Sequence, residues 1–236
     1  MKPANCSQNH CVNVKDGIAY AWAISRRCGN RFGQLGRNNT TMTTKIENEA
    51  SSVGINLKQS KSNVIITQAA CGGSKDSGHT LLLDQAGHVY ACGCDRWQQL
   101  GFGSTKAGAV GYTWKQGKIS QSVPQEIQAL HPQILKNNDH VVGVAAGDDH
   151  SVALLQSGEV WTWGRGEHGQ LGQGGKPFVM PPTKSKELTE GGKARAIVAA
   201  SNCTGVVIEK HNGHLTLQHV GRCPKQLLEK WASLYV

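Results

Sequence analysis

The groups able to do chemistry in this 236-residue chain are ten histidines, eight cysteines and one short acidic run. His79 and His150 sit in like contexts, HTLLL and HSVALL. An imidazole can act as acid, base or metal ligand, but each role needs a partner group that the sequence does not identify, so a structural role is expected. Gly147-Asp148-Asp149-His150 sets two carboxylates beside an imidazole, a composition that suits a contact loop or an Asx-type turn between strands. Lys75 and Asp76, shortly before His79, are the weaker equivalents of that run. The cysteines contain no CxxC, and only Cys92 and Cys94 would share a strand face. Small secreted scaffolds are much denser in cysteine, so reduced thiols used as small buried apolar groups are expected. His168, His211, His214 and His219, or His214 with Cys203 and Cys223, match no zinc spacing. No P-loop, HExxH or GxSxG is present. The expectation is therefore no catalytic residue, no metal and no cofactor.

What must position these residues is set by glycine. Its 29 copies are about 12% of the chain, against a usual share of about 7%. Helices tolerate that poorly, because an interior glycine costs about 1 kcal/mol relative to alanine. Short strands joined by tight turns absorb it, since glycine adopts positive φ without steric cost. No segment approaches the roughly 20 apolar residues of a membrane span. The opening MKPANCSQNHC lacks a signal-peptide core, which points to an intracellular protein (nucleus, cytoplasm or mitochondrion).

Self-similarity resolves the organisation. VVGVAAGDDHSVALLQSGEVWTWGRGEHGQLG, from Val141, aligns without gaps from the histidine onward with the unit that starts at Val64. His79 then matches His150, Gly87 Gly158, Val89 Val160, Gly93 Gly164, Leu100 Leu171 and Gly101 Gly172. A weaker copy spans His10–Gly36, and a degraded one near Ala196 places Thr204 opposite the histidine. Within each unit VVGVAAG and HSVALLQ read as strands buried on both faces, SGEV as a hairpin, and EVWTWG as the next strand. GQLG is a turn whose leucine points inward, and Pro-bearing stretches such as SVPQEIQAL carry the chain onward. Four strands per repeat, arrayed radially, make an all-β propeller of about three to four blades. The units lie near 4–69, 70–140, 141–198 and 199–223, and 224–236 forms a short amphipathic helix carrying Leu227, Leu228, Trp231 and Leu234.

The pattern AAGxxHSxAL…GxVxxWGxGxxGQLG, carried by Ala145–Leu154 and Gly158–Gly172, resembles the repeat of the regulator of chromosome condensation family of seven-bladed β-propellers. That resemblance implies loops on the propeller faces that bind small GTPases, chromatin or ubiquitin-pathway clients. It also implies, for nucleotide exchange, acidic and histidine residues in those loops, here Asp148, Asp149 and His150 with Lys75 and Asp76. The three to four units found here form an incomplete ring, so a protein partner or a missing propeller half is expected to cover its ends.

The net charge of +9 is spread over connecting segments, giving a positive field that attracts polyanions. Trp114 and Lys115 with Lys118 pair aromatic and cationic groups, as a stacking platform for RNA would, or else form a loop with one buried tryptophan. The resulting expectation is a non-enzymatic interaction scaffold, a propeller subunit of a larger ribonucleoprotein or organellar assembly with no membrane insertion. The alternative is part of a guanine nucleotide exchange factor or a chromatin-binding regulator.

Overall fold

A computed structural model describes residues 5–24, 30, 32–36, 51–52, 64–74, 77–103, 112–115 and 118–235. Its strands form four antiparallel sheets in chain order. The first holds β1 (Asn5–Cys6), β2 (His10–Lys15), β3 (Ile18–Ala23) and β4 (Ser51–Ser52). The second holds β5 (Ile66–Gly72), β6 (His79–Asp84), β7 (Val89–Cys94), β8 (Tyr112–Lys115) and β9 (Lys118–Glu126). The third comprises β10 (Val141–Ala146), β11 (His150–Leu155), β12 (Val160–Arg165) and β13 (Phe178–Lys184). The fourth comprises β14 (Lys193–Ala200), β15 (Cys203–Glu209) and β16 (Leu215–Gly221), followed by α1 (Lys225–Tyr235). This is the mostly β propeller architecture that the glycine content and repeats require.

Each sheet buries its faces against its neighbours. Val12, Ala21 and Leu35 pack with Ile66, Cys71 and Leu82 between the first two sheets. Leu81, Leu83 and Leu100 meet Val144, Ala153, Leu155 and Trp163 between the second and third. Val152, Leu154 and Val160 meet Ala194, Val206 and Ile208 between the third and fourth. Strands β6 and β11 are consequently buried at every position, as their continuous apolar runs imply. The turn leucines Leu35, Leu100 and Leu171 are buried as well. Gly93, Gly164 and Gly221 occupy one register position, opposite His79, His150 and Cys203, and all adopt positive φ (114°, 98° and 90°). A Cβ at Gly164 would also press on the Asp149 carbonyl, which is why this position takes glycine.

The register changes three readings. Cys203, not Thr204, stands at the histidine position of the fourth sheet, because it pairs with Gly221 as His150 pairs with Gly164. Thr204 is the counterpart of Ser151 and Thr80. The Pro-bearing stretches are not plain connectors: SVPQE lies within β9 and VMPPTK within β13. β13 is the outer strand of its sheet, where a missing amide donor is tolerated. Finally, Cys203 and Cys223 form a disulfide and Cys11 is disulfide-bonded, whereas Cys71, Cys92 and Cys94 are buried. Spacing alone hid the first pair; antiparallel pairing of β15 and β16 folds 20 residues back on themselves and brings the thiols together. That bond also removes Cys203 and Cys223 from any ligand set with His214.

The C-terminal helix packs on β15 and β16. Trp231 is buried and lies against Gly205, where a side chain would collide with its ring. Gly205 is the counterpart of Val152, which faces the following sheet in the third unit. α1 thus sits over the face of the fourth sheet that points away from the third. Leu227 and Leu228 are half-buried, but Leu234 is exposed, so the apolar stripe is narrower than its sequence spacing suggests.

Closing a loop of about this length is worth about 3 kcal/mol. Replacing Cys203 and Cys223 together by serine should lower Tm by about 6–12 °C for a chain of this size. Thermal melts followed by circular dichroism check this, and reductant should lower the parent protein at least as far.

Candidate functional site

The histidines of the repeats line the sheet interfaces, each aimed at the next sheet. His10 Nε2 meets Thr80 Oγ1 at 2.8 Å, His79 Nε2 meets Ser151 Oγ at 3.0 Å, and His150 Nε2 meets Thr204 Oγ1 at 2.8 Å. Each hydroxyl in turn donates to the carbonyl of the glutamine in a turn of the preceding unit: Thr80 to Gln34 (2.7 Å), Ser151 to Gln99 (2.8 Å) and Thr204 to Gln170 (2.8 Å). A hydroxyl has one proton to give. Because it goes to the carbonyl, the hydroxyl must accept from the imidazole, which fixes the Nε2–H tautomer. The glutamine carbonyls also take a second donor, Trp163 Nε1 at Gln99 (2.8 Å) and Cys92 Sγ at Gln34 (3.7 Å). The glutamine side chains brace the same turns, accepting from the amides of Phe32, Trp97 and His168.

Burial sets the protonation of these rings. All three are 0% exposed, and desolvation pulls them down to about 3 for His10, about 4 for His79 and about 3 for His150. Repulsion from His79 adds to the lowering of His10 and His150. Gly72 and Gly147 lie so close to the rings of His79 and His150 that a Cβ there would overlap them. His150 is therefore an interior residue of the sheet interface, not part of the loop surface to which the sequence assigned it. Burial likewise pushes the Cys71 and Cys92 thiols up to about 12, the behaviour of inert structural groups.

Antiparallel connections send alternate loops to opposite ends of the sheets. The β5–β6 and β10–β11 loops share one end with the segments after β7 and β12. Asn9 Nδ2 donates to the Ser77 carbonyl (2.6 Å), Ser77 Oγ to the Asp148 carbonyl (3.5 Å), and the Asp148 amide to the Ser201 carbonyl (2.8 Å). These bonds lace the loops of successive units into one rim. Asp148 is half-buried on this rim, its carboxyl raised from the usual range by burial and then by Asp149. Asp149 is only 6% exposed and reaches Arg165 Nη1 at 3.5 Å. Arg165 also donates through Nε to Glu167 (2.7 Å) and lies over the Trp97 ring, 4.5 Å from its centroid. Sequence reasoning named Asp148 and Asp149 but missed Arg165, Glu167 and Trp97. The available signal was the Trp-Gly-Arg-Gly-Glu run at the end of β12, on the same side as the GDDH loop.

Lys75 and Asp76 lie outside the described residues. Trp114, Lys115 and Lys118 do not form a loop: they belong to the β8–β9 hairpin, with Trp114 opposite Ile119 and Lys115 opposite Lys118. That pairing places them in the second sheet.

Comparison with known proteins places this geometry. Profiles of the Regulator of chromosome condensation (RCC1) repeat match residues 141–170 in one case and 86–154 with 157–207 in another. The chain belongs to the RCC1 repeat family. It is 32% identical over 185 residues to Guanine nucleotide exchange factor SRM1 of Saccharomyces cerevisiae, covering 76% of this chain and 33% of that protein. It is 30% identical over 197 residues to Ultraviolet-B receptor UVR8 of Arabidopsis thaliana, covering 82% of this chain and 36% of the receptor. A similar stretch, 28% identical over 194 residues, occurs in human E3 ubiquitin-protein ligase HERC2, of which it is 3%. This RCC1-repeat chain thus spans about a third or less of these relatives. Among solved structures, Prp20p of Saccharomyces cerevisiae superposes with a TM-score of 0.66 at 23% identity, covering 99% of this chain and 46% of Prp20p. That likeness shows the propeller fold.

Protonating a buried imidazole at Nδ1 places a charge in a dry interface that, among the described residues, holds no acid to pair with it, so acid should destabilise this RCC1-repeat array. The unfolded rings titrate near 6.5 and the folded ones at about 3 to 4, so the unfolded state binds the extra protons between those limits. Stability is complete above pH 6.5 and falls as pH drops toward 4, with a slope approaching about 1.4 kcal/mol per pH unit for each ring. Urea midpoints measured across this range should show that fall. His79→Gln should be less stable at pH 7 yet lose stability less steeply.

Proposed function

We propose that this chain is a non-enzymatic protein-interaction scaffold that binds its partner through the rim formed by Asp148, Asp149, Arg165, Glu167 and Trp97. One observation carries the reading: the repeat imidazoles are locked inside the sheet interfaces as hydrogen-bonded, neutral rings, while acidic, cationic and aromatic groups converge on a single rim. Such a mixture of charge and an aromatic face suits protein recognition. Asp148 supplies the accessible carboxylate there. Asp149 holds Arg165 over Trp97 and thereby sets the shape of the contact. His150 contributes only by positioning the loop.

The fourth sheet bears on how a partner attaches. Its outward face carries Trp231 against Gly205, which favours attachment through loops over the stacking of a further propeller half on that face. The basic charge of +9 supports residence in an assembly that contains a polyanion such as RNA. Trp114, Lys115 and Lys118, aligned along the β8–β9 hairpin, are the groups we assign to that contact. A nuclear, cytoplasmic or mitochondrial assembly fits this reading.

The second reading, regulation of a small GTPase or of chromatin, is favoured by the similarity to SRM1, an exchange factor by name, and to Prp20p, described with its binding properties to Gsp1p and histones. Under the scaffold reading the chain alone does not accelerate nucleotide release. Release of labelled nucleotide stimulated by catalytic amounts of the chain would overturn it.

Native size of the tagged chain, with mass spectrometry of what co-elutes, tests the scaffold directly. The expected outcome is a large complex that Arg165→Glu and Trp97→Ala each dissociate while the far-ultraviolet circular dichroism is kept. An unchanged complex in both variants would remove the rim from the binding surface.

A further inference from the structure

The opposite end of the second sheet gathers a different set of groups. His88 lies in the turn between β6 and β7, Glu126 ends β9, and His131 follows the short helical turn Gln128–Leu130. Their ligand atoms all lie within 4.8 Å of one another, although the three residues come from separate segments. We propose that His88, Glu126 and His131 form a binding site for a divalent transition metal, with zinc the ion whose ligand preferences they meet.

The arrangement behind these groups is that of a built site. His88 Nδ1 donates to Asp84 Oδ2 at 2.9 Å, which leaves Nε2 as the nitrogen with a free lone pair. Asp84 is only 6% exposed and is itself held in place. Its Oδ1 accepts from the amides of Ala86 (2.9 Å) and His88 (2.8 Å), and Tyr90 donates to Oδ2 (3.1 Å). A buried carboxylate that orients an imidazole in this way is the usual outer support of a metal-binding histidine. Glu126 Oε1 is buried and accepts no hydrogen bond among the described residues; His131 Nε2 stands 3.5 Å from it. The two imidazole rings lie 4.9 Å apart at an interplanar angle of 53°. Two nitrogens and a carboxylate oxygen are a zinc donor set that leaves a fourth position for water.

The third sheet provides an internal control. There Lys184 pairs with Trp161 as Glu126 pairs with Tyr90, and Glu159 precedes Val160 as His88 precedes Val89. Lys184 Nζ and Glu159 Oε1 meet at 2.7 Å, so that corner closes on itself as an ion pair. In the second sheet the same corner holds an acceptor and two imidazoles, with no lysine or arginine paired to Glu126 among the described residues. Ligands of a tetrahedral zinc at about 2.0–2.1 Å lie about 3.4 Å apart, so side-chain rotation must draw the groups inward. His131 Nδ1 accepts from the Gln133 amide at 3.1 Å; ligation through Nε2 exchanges that one exposed hydrogen bond for a metal bond.

The test uses the full chain, stripped with a chelator and desalted, then titrated with Zn²⁺ against a chromophoric competitor and with Co²⁺ by visible absorption. One equivalent should bind, and the Co²⁺ spectrum should show four-coordinate d–d bands. Glu126→Gln and His131→Asn should each weaken binding at least 100-fold, and Asp84→Asn by about 10–100-fold. Glu126→Gln gives up no hydrogen bond at Oε1, so it keeps the test valid if the Asp84 variant fails to fold. Absence of stoichiometric binding would overturn the proposal. So would binding that survives both Glu126→Gln and His131→Asn, since the ion would then sit on other histidines.

Discussion

The hydrogen-bond relay from a histidine in one sheet, through a hydroxyl in the next, back to a turn carbonyl of the first is the constraint on which the rest of this structure depends. Among the described residues it occurs three times, at His10–Thr80–Gln34, His79–Ser151–Gln99 and His150–Thr204–Gln170. Each relay lies in a dry interface, where an unmade hydrogen bond costs about 1–3 kcal/mol. A sheet that slid or rotated against its neighbour would lose the bond without gaining water, so the relay sets register as well as affinity between sheets. The glycines beside the rings follow from it: Gly72 and Gly147 leave the room that an imidazole at this depth requires.

Two of the four sheets depart from the relay pattern. In the first sheet the residue after the relay histidine is Cys11, where later sheets carry Thr80, Ser151 and Thr204. In the fourth sheet the histidine position is Cys203. Both cysteines are disulfide-bonded. A cysteine at these positions makes no side-chain hydrogen bond of the relay type necessary. Trp231, packed on Gly205, covers part of the face beyond β15.

With the imidazoles committed to the interior, the accessible polar groups gather at the loop ends, and the two ends differ in chemistry. One presents Asp148 and the Asp149–Arg165–Trp97 stack on a rim laced by backbone bonds. The other presents the His88–Glu126–His131 corner. Repetition explains the contrast. Strand positions are held alike by the relay and the packing, whereas loop positions are free to diverge, so Glu159–Lys184 in one unit is His88–Glu126 in another.

Strand order, buried faces, hairpin glycines and the inward turn leucines were legible in the sequence, because a period-2 apolar pattern and positive-φ turns are local properties that repeat at matching positions. The GDDH loop was legible for the same reason, as a departure from strand pattern between two strands. Tertiary structure alone decided what faces what. The histidine position of the degraded fourth unit shifted by one residue, from Thr204 to Cys203, because only pairing with β16 fixes which side chain points across the interface. The Cys203–Cys223 bond, the Arg165–Trp97 stack and the convergence of His88, Glu126 and His131 join residues that no spacing rule connects. Sequence carries the periodicity of a repeat; distances between groups on different strands arise only once the sheets are paired and stacked.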